Sequence, residues 1–176
     1  VASGRGAQRG IVISSPSALE ASRGIDRVLL DKTGTLTTGQ MKVSTATVSL
    51  GAAAQLAQIY PELIKEATIL SSALSIESQN THPVGQAIAE HIAAQGIKAT
   101  TVTDYSVSPG NGAAGRVNLG IHSPVVLIGS PAAVAHSSVD FHPDIQAAVS
   151  AAQAQALTVS VMAWDGIALA VFAVGD

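Results

Sequence analysis

The apolar positions of this chain change rhythm several times, and each change predicts an element. "GIVIS" (10–14) reads as a short strand. "SPSALEASRG" (15–24) reads as a short helix, capped by Ser15, with Pro16 at its first position and Gly24 at its stop. "RVLLD" (27–31) is apolar up to its last residue, the pattern of a strand buried on both faces. From Lys42 the pattern alternates. "KVSTATVSL" puts Val43, Thr45, Thr47 and Ser49 on one side and Ser44, Ala46, Val48 and Leu50 on the other, as in a half-buried strand. Helical spacing follows over 61–78, with Leu63, Ala67, Leu70 and Leu74 on one stripe. It recurs over 82–96, where Val84, Ile88 and Ile92 form the stripe, Pro83 suits the first turn and Gly96 the stop. "TTVTDYSV", "AGRVNLGI" and "PVVLIG" read as strands, and "PDIQAAVSAAQAQ" as a helix. "LTVSVMAW" and "IALAVFAV" are two strands joined by Asp165-Gly166, a hairpin signal.

From residue 42 the order is strand, two helices, three strands, helix, two strands. Strands grouped in this way predict an α+β domain, an antiparallel sheet flanked by helices. The first 31 residues instead read strand, helix, strand, part of an α/β sheet. Asp31 then lies at a strand's C-terminal end, the edge where such sheets bind ligands. A length of 176 residues suits one domain, or one domain and a piece of another. With 47% apolar residues and only 3% aromatic, the core is sizeable, aliphatic and Ala-rich. A net charge of −3, with no block of like charge, gives no footing for nucleic acid. The absence of cysteine excludes disulfides and thiolate metal sites. No apolar run approaches the ~18–20 residues of a membrane span, and no signal peptide is visible. The chain opens on Val1 and ends in "VFAVGD"; both ends read as cuts in a longer protein.

Asp31 opens directly into "DKTGTLT". A Walker-type phosphate loop is excluded, because Asp31 stands where that loop needs Gly. A carboxylate at a strand tip can instead attack a phosphoryl group and form an aspartyl phosphate. The Thr/Gly turn after it offers N–H groups and hydroxyls to phosphate oxygens. Taken alone, the same residues are a strand-ending Asp and an ordinary turn. As a string, "DKTGTLT" matches without a mismatch the phosphorylation motif of the P-type ATPases, which the chain resembles. The resemblance implies that Asp31 is phosphorylated by ATP and that Asp31 and Thr33, the latter through its backbone carbonyl, help to hold Mg²⁺. The related haloacid-dehalogenase superfamily carries a second Asp two positions after the nucleophile, where Thr33 stands here. A hydroxyl is a poor proton shuttle, so the phosphoenzyme should persist.

In "ESQNTHPVGQAI" (77–88), His82-Pro83 can be read simply as a helix start. Together with Glu77 it resembles the signature of the heavy-metal-transporting branch of that family, whose Glu and His line an adenine pocket. Thr81 departs from the pattern, where a second Glu is common. "PGNGAAG" spells GxGxxG, but the following "RVNLGI" alternates like a strand, which excludes a dinucleotide-binding turn. The resemblance assigns Gly110 and Gly112 to a glycine loop that approaches the nucleotide, with Ala113 in place of a branched aliphatic. Gly129 matches the family's later Gly-Asn pair, with Ser130 in place of Asn. The other histidines, His91, His122, His136 and His142, show no metal-ligand spacing.

The resemblance implies three parts: residues 1–38 as the start of a phosphorylation domain, 39–171 as a nucleotide-binding domain, and 172–176 returning into the first. It implies ATP and Mg²⁺ as ligands and a position on the cytoplasmic side of a membrane pump. The partners implied are the rest of the phosphorylation domain, an actuator domain and a membrane domain. The flank "GRGAQRGIVISSPSALEASRGIDRVLLDKTGTLTTG" is most like copper-type pumps. Phosphoryl transfer needs further carboxylates and a Lys. The family supplies them from "TGD" and "GDGxND" strings, neither of which occurs here, so this fragment should bind ATP with negligible turnover. Two rivals stand against this reading. A soluble dehalogenase-type phosphatase, with 39–171 as cap, would need a second Asp near Asp31. A non-enzymatic module would bind a protein and no nucleotide.

Overall fold

The structure, a computed structural model, describes residues 2–12, 15–21, 24–30 and 39–176, and the chain divides into two compact units, 1–38 and 39–176. The first unit holds two short helices, α1 (Ala2–Ala7) and α2 (Pro16–Ala21). The helix predicted over 15–24 is present as α2; α1 carried no sequence signal. The strands predicted at 10–14 and 27–31 are not formed over their described residues, 10–12 and 27–30. Val12 and Val28 to Leu30 are exposed, Leu29 completely. A strand needs a neighbour for its N–H and C=O groups, and no strand lies among the described residues of this unit. Asp31, Thr33 and the rest of the "DKTGTLT" turn lie outside the described residues.

The second unit is one antiparallel sheet in the order β1-β6-β5-β4-β3-β2. Its strands are β1 (Lys42–Val48), β2 (Val102–Ser108), β3 (Gly112–Val117), β4 (Val125–Gly129), β5 (Thr158–Trp164) and β6 (Ile167–Gly175). Five helices accompany them: α3 (Leu50–Leu56), α4 (Glu66–Glu77), α5 (Pro83–Ala93), α6 (Pro131–His136) and α7 (Pro143–Ala154). The α+β architecture expected from the grouping of strands is the one found. β6 continues unbroken through position 171, and its partner β1 sets Lys42 opposite Gly175, so the unit's two ends lie side by side.

β5 and β6 are buried almost throughout because both faces of the sheet are covered. On one face Leu56, Ile69, Ile76 and Ile88 pack with Met162, Trp164 and Phe172. On the other, Val134, Ile145 and Val149 pack with Val161, Ala163 and Val171. The β5–β6 turn is Asp165-Gly166, both at positive φ (42° and 85°), as a two-residue hairpin requires.

α4 starts at Glu66, later than the predicted 61, because Lys65 is extended (φ −121°, ψ 144°). It is buried on nearly all sides from Ile69 to Glu77. Its serines tolerate this by bonding back along the helix: Ser72 Oγ donates to the Thr68 carbonyl and Ser75 Oγ to that of Ser71. Glu77, its last residue, has no such relief, and there the second unit opens a cleft.

Candidate functional site

Glu77 is only 3% exposed. Burial pushes its carboxyl above the usual range, and a hydrogen bond from Asn80 partly offsets this. That bond, from Nδ2 to Oε2, is 2.7 Å long. Asn80 Oδ1 in turn accepts the His82 backbone N–H at 3.0 Å. His82 is the N-cap of α5, and its Nδ1 accepts the Val84 N–H at 3.3 Å. With Nδ1 accepting, the ring hydrogen belongs on Nε2. The plain structural role of His82-Pro83, a helix start, is therefore real, and the ring also faces a cleft.

That cleft measures about 270 Å³. Glu77, His82, Gly110, Gly112 and Gly129 all line it, although they come from α4, the α5 cap, the β2–β3 turn, β3 and β4. The five residues singled out in the second unit thus meet in one place. The lining contains one carboxylate and one histidine but no lysine or arginine. Such a surface suits an uncharged ligand face that donates hydrogen bonds, not a phosphate group. The volume lies just below the ~300–1,000 Å³ of drug-sized sites, which fits a purine base with the rest of a nucleotide outside.

Glycine shapes the walls. A Cβ on Gly85 would come within 2.4 Å of Glu77 Oε2 and 2.7 Å of Asn80 Nδ2, so the first turn of α5 passes the Glu77–Asn80 pair in its present arrangement because position 85 has no side chain. A Cβ on Gly112 would meet the Ile128 carbonyl oxygen at 2.0 Å, and one on Gly129 the Asn111 carbonyl oxygen at 2.2 Å. Gly110 has open space around it.

Several lining residues carried no sequence signal. Thr158, Val159 and Ser160 enter because β5 pairs beside β4, a long-range fact. Asn80 enters through its hydrogen bond to Glu77 Oε2. Ser130 lines the cleft and also caps α6, its Oγ accepting the Ala133 N–H at 3.3 Å. Among the described residues no group of three or more His, Asp or Glu could hold a metal ion, and Asp31 and Thr33 lie outside them. No helix among them is long and apolar enough to cross a membrane.

Tyr105, on β2, lies within electrostatic reach of Glu77. Its hydroxyl is buried and has no hydrogen-bond partner, and burial followed by the charge of Glu77 pushes its pKa up. Tyr105→Phe removes an unpaired buried hydroxyl, so it is expected to leave the fold as stable or about 1 kcal/mol more stable. A urea melt showing clear destabilisation would mean that the hydroxyl is satisfied in solution.

No family model matches the chain. A copper-exporting P-type ATPase of Mycobacterium tuberculosis is 36% identical over all 176 residues, and the chain spans 20% of that protein's length. Among solved structures, a zinc-transporting PIB-type ATPase in its E2.Pi state superposes over 99% of the chain and 25% of its own, with a TM-score of 0.70 and 24% identity. The N-domain of a copper-transporting P-type ATPase, HMA6, matches 77% of the chain and 99% of its own length, with a TM-score of 0.52 and 21% identity. The chain thus spans about a fifth of the curated relative it matches.

Proposed function

The chain belongs to the heavy-metal-transporting P-type ATPases, and from that premise we propose that residues 39–176 bind ATP by its adenine in the Glu77–His82 cleft. The observation that carries this is the convergence of Glu77, His82, Gly110, Gly112 and Gly129 on one cleft without a cation. Glu77 Oε2 is taken by Asn80, and Oε1 accepts no hydrogen bond among the described residues. A carboxylate oxygen presented in this way accepts from the exocyclic amino group of adenine. His82 offers an imidazole face and an Nε2–H beside the base. The glycine turn and the glycine at the end of β4 let backbone come close to it.

The rest of the reading concerns the whole pump. Asp31 would accept the γ-phosphoryl group, with Mg²⁺ held at Asp31 and the Thr33 carbonyl. The side-by-side ends of the second unit are what a domain inserted into another requires. Its partners would be the remaining phosphorylation, actuator and membrane domains. The cargo would be copper, moved outward, with this domain on the cytoplasmic face. The copper-exporting activity of the Mycobacterium tuberculosis relative and the copper-type flank favour that cargo and direction.

Amide NMR of the 176-residue chain, titrated with ATP and in parallel with GTP, tests the adenine site. Saturable shifts at Glu77, His82, Gly110 and Gly112 are expected, with a Kd of roughly 0.1–1 mM, equivalent to about 4–5.5 kcal/mol, and weaker shifts with GTP. No shifts at millimolar ATP would overturn the reading. Steady Mg²⁺-dependent ATP hydrolysis by this chain that survives Asp31→Asn would overturn the role given to Asp31.

A further inference from the structure

We propose that Asn80 is a specificity-determining residue, which holds Glu77 as an acceptor and thereby makes the cleft choose adenine over guanine. This rests on the adenine reading given above. The geometry is a single relay. Val84 N–H donates to His82 Nδ1 (3.3 Å), His82 N–H donates to Asn80 Oδ1 (3.0 Å), and Asn80 Nδ2 donates to Glu77 Oε2 (2.7 Å). The relay also fixes the Asn80 amide. Turned over, it would set Oδ1 against a carboxylate oxygen and its amino group against a backbone N–H, two repulsive contacts in place of two bonds.

Gly85 completes the device. A Cβ there would press on Asn80 Nδ2 and Glu77 Oε2, so a side chain at this position would push the bonded pair out of its present arrangement. Both residues lie inside the string "ESQNTHPVGQAI", but neither is among the residues to which the resemblance gives a role. Both act through Glu77, one by bonding it and the other by leaving it room.

The consequence for base choice follows from donors and acceptors. At the edge facing Glu77, adenine carries an amino group, a donor, whereas guanine carries a carbonyl, an acceptor. An ionised Glu77 accepts from the first and repels the second. A protonated Glu77 can donate to the second. Burial already favours the protonated form, and the Asn80 bond opposes that. The other titratable groups facing Glu77 are His82, from the cap of α5, and Tyr105, from β2. β3, β4 and β5 present only groups that do not titrate, such as Gly112, Ile128 and Ser160. Tyr105 makes no hydrogen bond to Asn80, whereas the His82 backbone N–H does, so Asn80→Asp, which keeps an acceptor for that N–H, separates the effect on Glu77 from the effect on His82.

The test is calorimetric titration of the 176-residue chain with ATP and with GTP between pH 5.5 and 8, for the parent, Asn80→Ala and Asn80→Asp. The parent should prefer ATP, with a preference that weakens towards acid. Asn80→Ala should lose about tenfold of the ATP-over-GTP ratio near neutrality, and its pH midpoint should move upward. Asn80→Asp should go further and gain GTP binding, since two carboxylates in contact cannot both ionise. Carboxyl NMR of Glu77 in the nucleotide-free chain gives an independent reading, with an upward-shifted midpoint in Asn80→Ala. Folded variants that keep the parental ratio and midpoint overturn the role of Asn80 while leaving the adenine site intact. A parent that binds neither nucleotide overturns the adenine reading itself.

Discussion

Gly112→Ala is expected to abolish measurable ATP binding and to cost this fold about 3 kcal/mol or more. Gly112 has a φ of +109°, outside the range that a side chain accepts without strain. Space is the harder limit. Its Cβ would lie 2.0 Å from the Ile128 carbonyl oxygen and 2.6 Å from Gly129 Cα, both backbone atoms that cannot rotate away. The neighbouring pair Ala113↔Ile128 begins the β3–β4 ladder, so relief requires prising these strands apart at the cleft wall. Gly112 also closes the β2–β3 hairpin opposite Ser108, so the whole glycine turn would shift. Gly110→Ala is the control. It meets no atom within 4 Å, and a φ of +78° costs only about 1–2 kcal/mol of backbone strain. Urea melts and ATP titrations of both variants decide the matter. A Gly112→Ala protein that melts and binds like its parent would mean that the wall is looser than the structure shows.

What the sequence revealed, and what it hid, follows from the range of the interactions. Asp165-Gly166 and His82-Pro83 are local signals, and the hairpin and the start of α5 are where they predict. α6 had the same Ser-Pro opening that marked α2, in Ser130-Pro131, but was masked because Ser130 was read only as a ligand-side substitution. α3 was hidden by its brevity and by Gly51, although Ser49 caps it and bonds Asp144 across the sequence at 2.7 Å. In β1 the alternation predicted Val43 and Val48 on opposite sides. A register shift between Val43 and Thr45 brings both against the same core cluster. The strands predicted at 10–14 and 27–31 had the right composition, but a pattern cannot supply the neighbour that a strand must pair with.

The site was legible in proportion to its motif. Glu77, His82 and the Gly-x-Gly turn could be named because they lie in short recognisable strings. Asn80 and Gly85 lie in the same string as Glu77 and His82, but their residue types alone carry no signal there. Their importance arises only when α5 folds back past the end of α4, where a side chain eight positions from Glu77 would disturb the Glu77–Asn80 pair. Thr158 to Ser160 are further still from any motif, and reach the cleft through strand order alone.

Glu77→Gln should separate stability from function, with opposite signs. Gln retains an oxygen for Asn80 Nδ2, so the relay to His82 survives. Its amino group then takes the place of Oε1 and faces the amino group of adenine, donor against donor. ATP affinity should fall by roughly 10- to 100-fold, since a charge-assisted bond is lost and a buried donor is left unpaired. GTP, with a carbonyl at that edge, should lose less or gain. The fold should respond in the other direction. In the parent, burial raises the Glu77 carboxyl above its unfolded pKa. The folded protein therefore holds that proton more tightly than the unfolded chain. The associated stability is fully present below the unfolded carboxyl pKa and is lost as pH rises through the raised folded one. At neutral pH the parent carries a buried charge at a cost that Gln does not incur, so Glu77→Gln should be the more stable protein there. The gap should close as pH falls and the parent takes up its proton. Urea melts from pH 4 to 8, paired with ATP and GTP titrations at neutral pH, measure both effects. A Gln variant that is less stable at neutral pH would show that the Glu77 carboxylate is not strained by burial, and one that binds ATP as tightly as its parent would show that this carboxylate is not the group that reads the base.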